Sequence, residues 1–270
     1  MSNDAFAVER VRHPVKARLL QITRITELSP SMRRLTLSGD DLQGFYSASF
    51  DDHLKLLLPA ATGEKPVVPS TGENGLVYAE GQIKPVMRDY TPRRYDADRN
   101  ELDIDFVLHH AGPATDWASN AEVGHYIGIA GPRGSLIIPA HFDWHLLMGD
   151  DTAMPAIARR LEELPAASQA LVVVKLRNEN AKIELHSPAS LRVRWVTQAA
   201  DDKGGPEALA ASLDELVLPS GEGFVWAAGE YSDIKALRQK LIDNFKIDKS
   251  RIRAASYWRK TEAASHTNFE

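Results

Sequence analysis

The 270-residue chain contains no cysteine, which excludes disulfides, thiolate nucleophiles, iron–sulfur ligation and cysteine zinc sites together. It has no excess of positive charge either. Its 32 Lys and Arg stand against 37 Asp and Glu, for a formal charge of −5, so binding of nucleic acid through overall basicity is excluded. Any anionic ligand needs a local basic patch. No apolar run reaches the roughly 18 residues that would span a bilayer, and Met1 to Arg12 is polar and mixed in charge, without the apolar stretch of a secretory leader. The expectation is a cytoplasmic monomer whose partners include no nucleic acid and no membrane. Repeats and low-complexity tracts are also missing.

What is present, 43% hydrophobic residues, suffices for one large core or two modest ones, and two domains suit this length better. As far as Pro139 the chain reads as short strands. Ala17–Ile22 and Ser31–Leu37 are separated by Ser29-Pro30, Phe50–Pro59 is apolar but for Lys55, and Glu101–His109 alternates in its first half. Beyond Pro139, Ala170–Leu176, Leu191–Val196 and Gly223–Glu230 are read as buried parallel strands. Helical stretches alternate with them at Ala156–Leu164, Pro206–Leu216 and Tyr231–Phe245. The predicted fold is therefore an antiparallel β-barrel over 1–139, then a doubly wound α/β domain over 140–255. A tail over 256–270 follows, read as compatible with an extra helix.

One stretch stands out chemically. Met87-Arg88-Asp89-Tyr90-Thr91-Pro92-Arg93-Arg94 sets a cation, an aromatic ring and a hydroxyl within four residues. Residues two apart in a strand share a face, so Arg88 and Tyr90 point the same way with Thr91 beside them, a seat for a flat, phosphate-bearing cofactor. By itself the stretch also reads as an ordinary strand with a surface arginine. At Gly112-Pro113-Ala114-Thr115 the pattern turns helical, with Thr115 available as a cap, and helix N-termini bind phosphate through unpaired N–H groups. Gly149-Asp150-Asp151-Thr152-Ala153-Met154-Pro155 is a strand, a tight turn and a helix start without the glycine spacing of a dinucleotide fingerprint. His141 and His145 stand four apart with no acidic helix motif near them and are read as structural; no metal site is expected.

Taken in order, Phe50-Asp51-Asp52-His53-Leu54-Lys55, Arg88-Asp89-Tyr90-Thr91-Pro92-Arg93, Gly112 to Ala118, Gly131-Pro132-Arg133-Gly134-Ser135, Gly149 to Pro155, Ala228-Gly229-Glu230 and Tyr257-Trp258-Arg259 resemble the siderophore-interacting protein family. These are FAD-dependent ferric-siderophore reductases of the ferredoxin-reductase-like superfamily. The resemblance implies that Arg88, Tyr90 and Thr91 hold the flavin, that Asp105, Val107 and His109 line it through backbone atoms, and that Gly112, Ala114, Thr115, Trp117 and Ala118 cradle its pyrophosphate. It implies NADH or NADPH as donor, approached by Gly149, Asp150, Thr152 and Glu230. Arg177 and Lys182 are the cations considered for a 2′-phosphate. Ser256, where relatives often carry glycine, and the continuation to Glu270 depart from the pattern and put the donor's entry in question.

The chemistry implied needs no catalytic side chain, because a flavin accepts a hydride and can return electrons singly to iron. Lys55, Arg133, Arg259 and Lys260 are expected to form a basic pocket beside the flavin for an anionic ferric siderophore. Two alternatives stay open at this stage: a general flavin or ferredoxin-type reductase working with a small electron-carrier protein, and a siderophore-binding protein without catalysis.

Overall fold

A computed structural model describes residues 5–72, 75–108, 112–197, 208–260 and 267–269. The described chain divides into two compact units, the first spanning Ala7–Ile138 and the second Pro139 onward together with Ala5 and Phe6.

In the first unit the strands are β1 (Glu9–Arg12), β2 (Ala17–Ser29), β3 (Met32–Ser38), β4 (Leu54–Leu57), β5 (Ser70–Gly72), β6 (Gly75–Val77), β7 (Met87–Tyr90), β8 (Arg94–Asp96), β9 (Glu101–Val107), β10 (Tyr126–Ala130) and β11 (Gly134–Ile137), with helix α1 (Pro113–Ser119) after β9. Seven of them form one sheet in the order β7-β4-β10-β2-β3-β9-β8, antiparallel throughout. Laid flat, its outer strands would lie about 29 Å apart at ~4.8 Å per step. Yet β7 and β8 are joined by only Thr91-Pro92-Arg93, which reaches no more than about 14 Å. The sheet must therefore curl until its two edges face each other, and this is the expected barrel.

Its interior is filled by alternate residues such as Leu20, Ile22, Leu35, Leu37, Leu54, Leu56, Ile104, Phe106, Ile127 and Ile129, with Trp117 of α1 added to the same cluster. On the other face of β9, Asp103 and Asp105 alternate with that core, and both are buried. Arg94 Nε donates to Asp103 at 2.9 Å, and Arg34 grips Asp105 through Nε and Nη2 at 2.6 and 2.9 Å. The arginines make a polar lid over the strand.

In the second unit the strands are β12 (Trp144–Asp150), β13 (Gln169–Leu176), β14 (Ser190–Thr197), β15 (Gly223–Glu230), β16 (Ile252–Trp258) and β17 (Thr267–Phe269), and the helices are α2 (Met154–Glu163), α3 (Ala208–Ala211) and α4 (Tyr231–Asp243). The sheet order is β14-β13-β12-β15-β16-β17. The first five strands are parallel and β17 is antiparallel. Chain order reverses between β12 and β15, so the topological switch point, where doubly wound sheets take their ligands, lies at the carboxyl ends of those two strands.

Three expectations change here. β14, read as a buried strand, is an edge strand with exposed Arg192, because its arginines alternate with the apolar residues. The helix expected over Pro206–Leu216 is short: α3 is followed by a 3-10 turn at Ser212–Glu215, and residues 206 and 207 lie outside the described part. Of the tail, read as compatible with a helix, residues 261–266 and 270 lie outside the described part, and Thr267–Phe269 forms strand β17, whose Phe269 ring sits 5.1 Å from that of Tyr231.

The paired histidines are not on one helix face, since His141 precedes β12 and His145 lies within it. The His145 Nε2 lies 3.1 Å from the Ala140 carbonyl. Burial, aided by the charge of Arg160, lowers its pKa to about 3. Between about pH 6.5 and 3 only the unfolded chain takes up this proton, so the contribution of His145 is intact above pH 6.5 and is lost as the pH falls. Stability of the second unit should drop by about 1.4 kcal/mol per pH unit from this group. Urea midpoints at pH 7 and 5.5 check it: His145→Gln should flatten that slope, and an unchanged slope would remove His145 as the cause.

Candidate functional site

The seam of the barrel carries the stretch singled out in the sequence. β7 pairs with β4 so that Tyr90 lies opposite Leu54 and Arg88 opposite Leu56, while Asp89 lies opposite Lys55. Arg88 and Tyr90 thus share one face. The Tyr90 ring packs on Phe106 with centroids 4.6 Å apart. Burial raises its hydroxyl pKa, offset in part by the charge of Arg88, so the phenol stays protonated and able to donate.

The half-buried Arg88 guanidinium donates to its neighbour's carbonyl, Met87 O, at 2.8 Å and has no ion pair among the described residues. Thr91 is buried, and its hydroxyl has no partner among the described residues. β8 covers β9 only at Glu101–Asp103, with Arg93 N bonding Asp103 O at 2.9 Å. From Ile104 to Val107 the seam side of β9 therefore has no strand upon it among the described residues, which leaves backbone available near Asp105 and Val107.

Helix α1 begins next. Its N-cap position is Gly112, with Pro113 inside the first turn and no side-chain cap. Thr115 is not the cap; its hydroxyl donates to Val107 O at 3.3 Å, tying the helix to the end of β9. Ala114, Thr115, Trp117 and Ala118 are buried, and the buried Trp117 Nε1 has no hydrogen-bond partner among the described residues. His109 lies outside the described residues.

These features fit FAD. Among the described residues, a cation without a counter-charge, an uncapped helix start, an indole N–H without a partner and an uncovered strand edge lie about one seam, and they match an anionic pyrophosphate joined to a flat polar ring. The Asp105 side chain is occupied elsewhere, by Arg34 and by Arg93 at 3.8 Å. Sequence reading missed both partners: Arg34 comes from β3 and Arg93 from the link between β7 and β8.

Lys55 lies on the face opposite to Arg88 and Tyr90, and its ammonium pairs with Asp89 at 2.7 Å. Arg133 is exposed in the turn after the Gly131-Pro132 cis peptide. In the second unit the Arg259 guanidinium lies 3.8 Å over the Tyr231 ring, a cation–π contact, and Lys260 is exposed.

The switch point is tightly built. A Cβ on Gly149 would come within 2.3 Å of Ala228 O, so only glycine lets β12 run this close to β15. Asp150 accepts from Thr152 N and Glu230 N at 2.9 Å each. Glu230 in turn caps α4, accepting from Ser232 N and Asp233 N at 2.7 and 3.2 Å. Lys175, at the end of β13, pairs with Asp233 at 2.7 Å. Of the cations considered for a 2′-phosphate, Lys182 is bound to Glu179 and Arg177 is exposed.

Known proteins share this arrangement across nearly the whole chain. Residues 21–136 match the siderophore-interacting FAD-binding domain and residues 142–261 match the siderophore-interacting protein domain. The NADPH-dependent ferric-chelate reductase of Escherichia coli (strain K12) is 36% identical, over 96% of this chain and 99% of its own. The ferric vibriobactin reductase ViuB of Vibrio cholerae is 35% identical over 98% of this chain and 96% of its own. The crystal structure of a siderophore utilization protein from T. fusca, 33% identical, superposes with a TM-score of 0.87 over 96% of this chain and 98% of that one. A ferredoxin reductase from carbazole 1,9a-dioxygenase, 15% identical, has the same fold, with a TM-score of 0.63 over 89% of this chain and 69% of that one.

Proposed function

The chain belongs to the siderophore-interacting protein family, and we propose from this and from the seam that it is an FAD-dependent reductase of ferric siderophores. It is an oxidoreductase using NAD(P)H. The observation that carries the site is Arg88, a half-buried guanidinium with no carboxylate on it among the described residues, at the barrel seam. When bound, FAD accepts a hydride and passes electrons singly to the iron. Iron(III) held by hard oxygen donors is released on reduction because iron(II) binds those donors far more weakly.

In this reading Arg88 meets the pyrophosphate, with the N–H groups of Ala114 and Thr115 and the indole of Trp117 beside it. Tyr90 and Thr91 hold the flavin, and the uncovered edge near Asp105 and Val107 offers it backbone groups. Gly149, Thr152 and Glu230 shape the turn that receives the nicotinamide donor. Arg259 and Lys260 of the second unit draw in an anionic ferric complex. Lys55 contributes less, since Asp89 neutralises it. The donor is a reduced nicotinamide rather than a carrier protein, and the reaction runs on a monomer in the cytoplasm. Among the described residues no helix is long and apolar enough to cross a membrane.

Anaerobic titration tests the assignment. The purified protein should be yellow, bleach with NADH or NADPH, and recolour on addition of a ferric catecholate or hydroxamate complex with release of iron(II). A protein that bleaches but returns electrons only to a carrier protein would point to the general reductase. One that binds iron complexes without flavin would be a sequestering protein.

A further inference from the structure

The buried carboxylate of Asp150 joins three distant parts of the chain. Its Oδ1 accepts from the Thr152 N–H and hydroxyl. Its Oδ2 accepts from Glu230 N and from the Trp258 indole Nε1, both at 2.9 Å. A Cβ on Gly229 would lie 2.7 Å from Oδ2, so the carboxylate rests against bare backbone. With at least four donors on it, Asp150 has little acceptor capacity left for a ligand, and its negative charge suits no phosphate.

The approach of Trp258 is built in. β15 and β16 pair with Gly229 opposite Ser256 and Glu230 opposite Trp258, so Tyr257 is an extra residue. Such bulges re-aim the side chains beside them. Ser256 Oγ donates to Trp258 O at 3.1 Å, which steadies the turned backbone. The next residue, Arg259, lies over Tyr231, and exposed Lys260 follows.

We propose that Asp150 is a positioning residue for the iron complex: by holding the indole of Trp258 it fixes where Arg259 and Lys260 present their charges. The inference rests on the reading above that these two cations receive the ferric siderophore. Asparagine at 150 would offer an amide N–H where the Glu230 and Trp258 N–H groups need an acceptor, and would release the segment.

The test uses the FAD-loaded full chain and two probes, an anionic ferric tris-catecholate and an uncharged ferric tris-hydroxamate. Asp150→Asn should raise KM for the anionic complex about tenfold, the scale of one charge-assisted hydrogen bond. Trp258→Phe, which leaves the Glu230 and Thr152 bonds of Asp150 in place, should raise it as much while KM for the uncharged complex, kcat and flavin content stay within about twofold, and the double variant should lose no more of the anionic preference than either single one, because both act on one link. Equal loss on both probes would mean a merely structural role. A raised KM for the nicotinamide with iron KM unchanged would make Asp150 a donor ligand, and an additive double variant would break the link. Each overturns the proposal, and Trp258→Phe decides alone if Asp150→Asn does not fold. Lys260→Ala tests the reading underneath separately: if it leaves the preference for the anionic probe intact, the cation assignment fails.

Discussion

Replacing Asp105 by alanine should weaken the barrel by about 3–5 kcal/mol, the usual cost of removing one partner of a buried ion pair. Its side chain is fully buried, gripped by Arg34 through two bonds and with the 6% exposed Arg93 side chain 3.8 Å away, so the substitution removes a buried carboxylate shared by two guanidinium groups. Arg34 is less enclosed and can turn to water. The loss should be local. Amide hydrogen exchange in peptides from β3 and β9 should speed up together, because those strands pair at Arg34 and Asp105, while peptides from β12 and β13 keep their protection. A loss below about 1 kcal/mol would mean that Arg93 is satisfied without the carboxylate.

Arg88→Ala should do the reverse, leaving the protein folded and emptying it of cofactor. FAD affinity should fall by about 1.5–3 kcal/mol, roughly 10- to 150-fold, as a charge-assisted hydrogen bond disappears. Stability should hardly change, since the guanidinium's bond within the chain is to its neighbour's carbonyl. Arg88→Lys should fall between, keeping the charge but not the planar fork that suits phosphate. Equilibrium dialysis against FAD, with thermal melts of the apoprotein, separates the two effects. An affinity within twofold of the parent would remove Arg88 from the site.

The seam was legible in the sequence because its information is local. Alternation places Arg88 with Tyr90, and Thr91 follows directly. The strand-and-helix rhythm after Pro139 likewise marks the doubly wound half, since each buried strand needs a helix to cover it. What stayed hidden depends on partners far along the chain. The burial of Asp103 and Asp105 depends on arginines from β8 and β3 that bind them across the sheet. Asp150 looks like a turn residue, and its bond to Trp258 joins residues 108 apart in sequence. The seventh motif contains Trp258, which was a signal, but no periodicity tells which way an indole turns at a bulge. Lys55 shows the opposite case: its charge was plain, and the cross-strand register that neutralises it with Asp89 was not.

The three-residue link between β7 and β8 has a thermodynamic consequence. A sheet whose edges are brought face to face, with no ladder between them among the described residues, has an unzipped line down its wall, and the proposed cofactor would lie along that line. FAD would then act as a clasp, and its occupancy would be written into barrel stability by mass action, about 2.7 kcal/mol when cofactor stands at a hundred times its dissociation constant. A cell short of flavin would hold this protein in a looser form, more open to proteolysis along the seam than at the sheet edges of its other half. Supply of the cofactor would thereby set how much of the reductase persists as well as how fast it turns over.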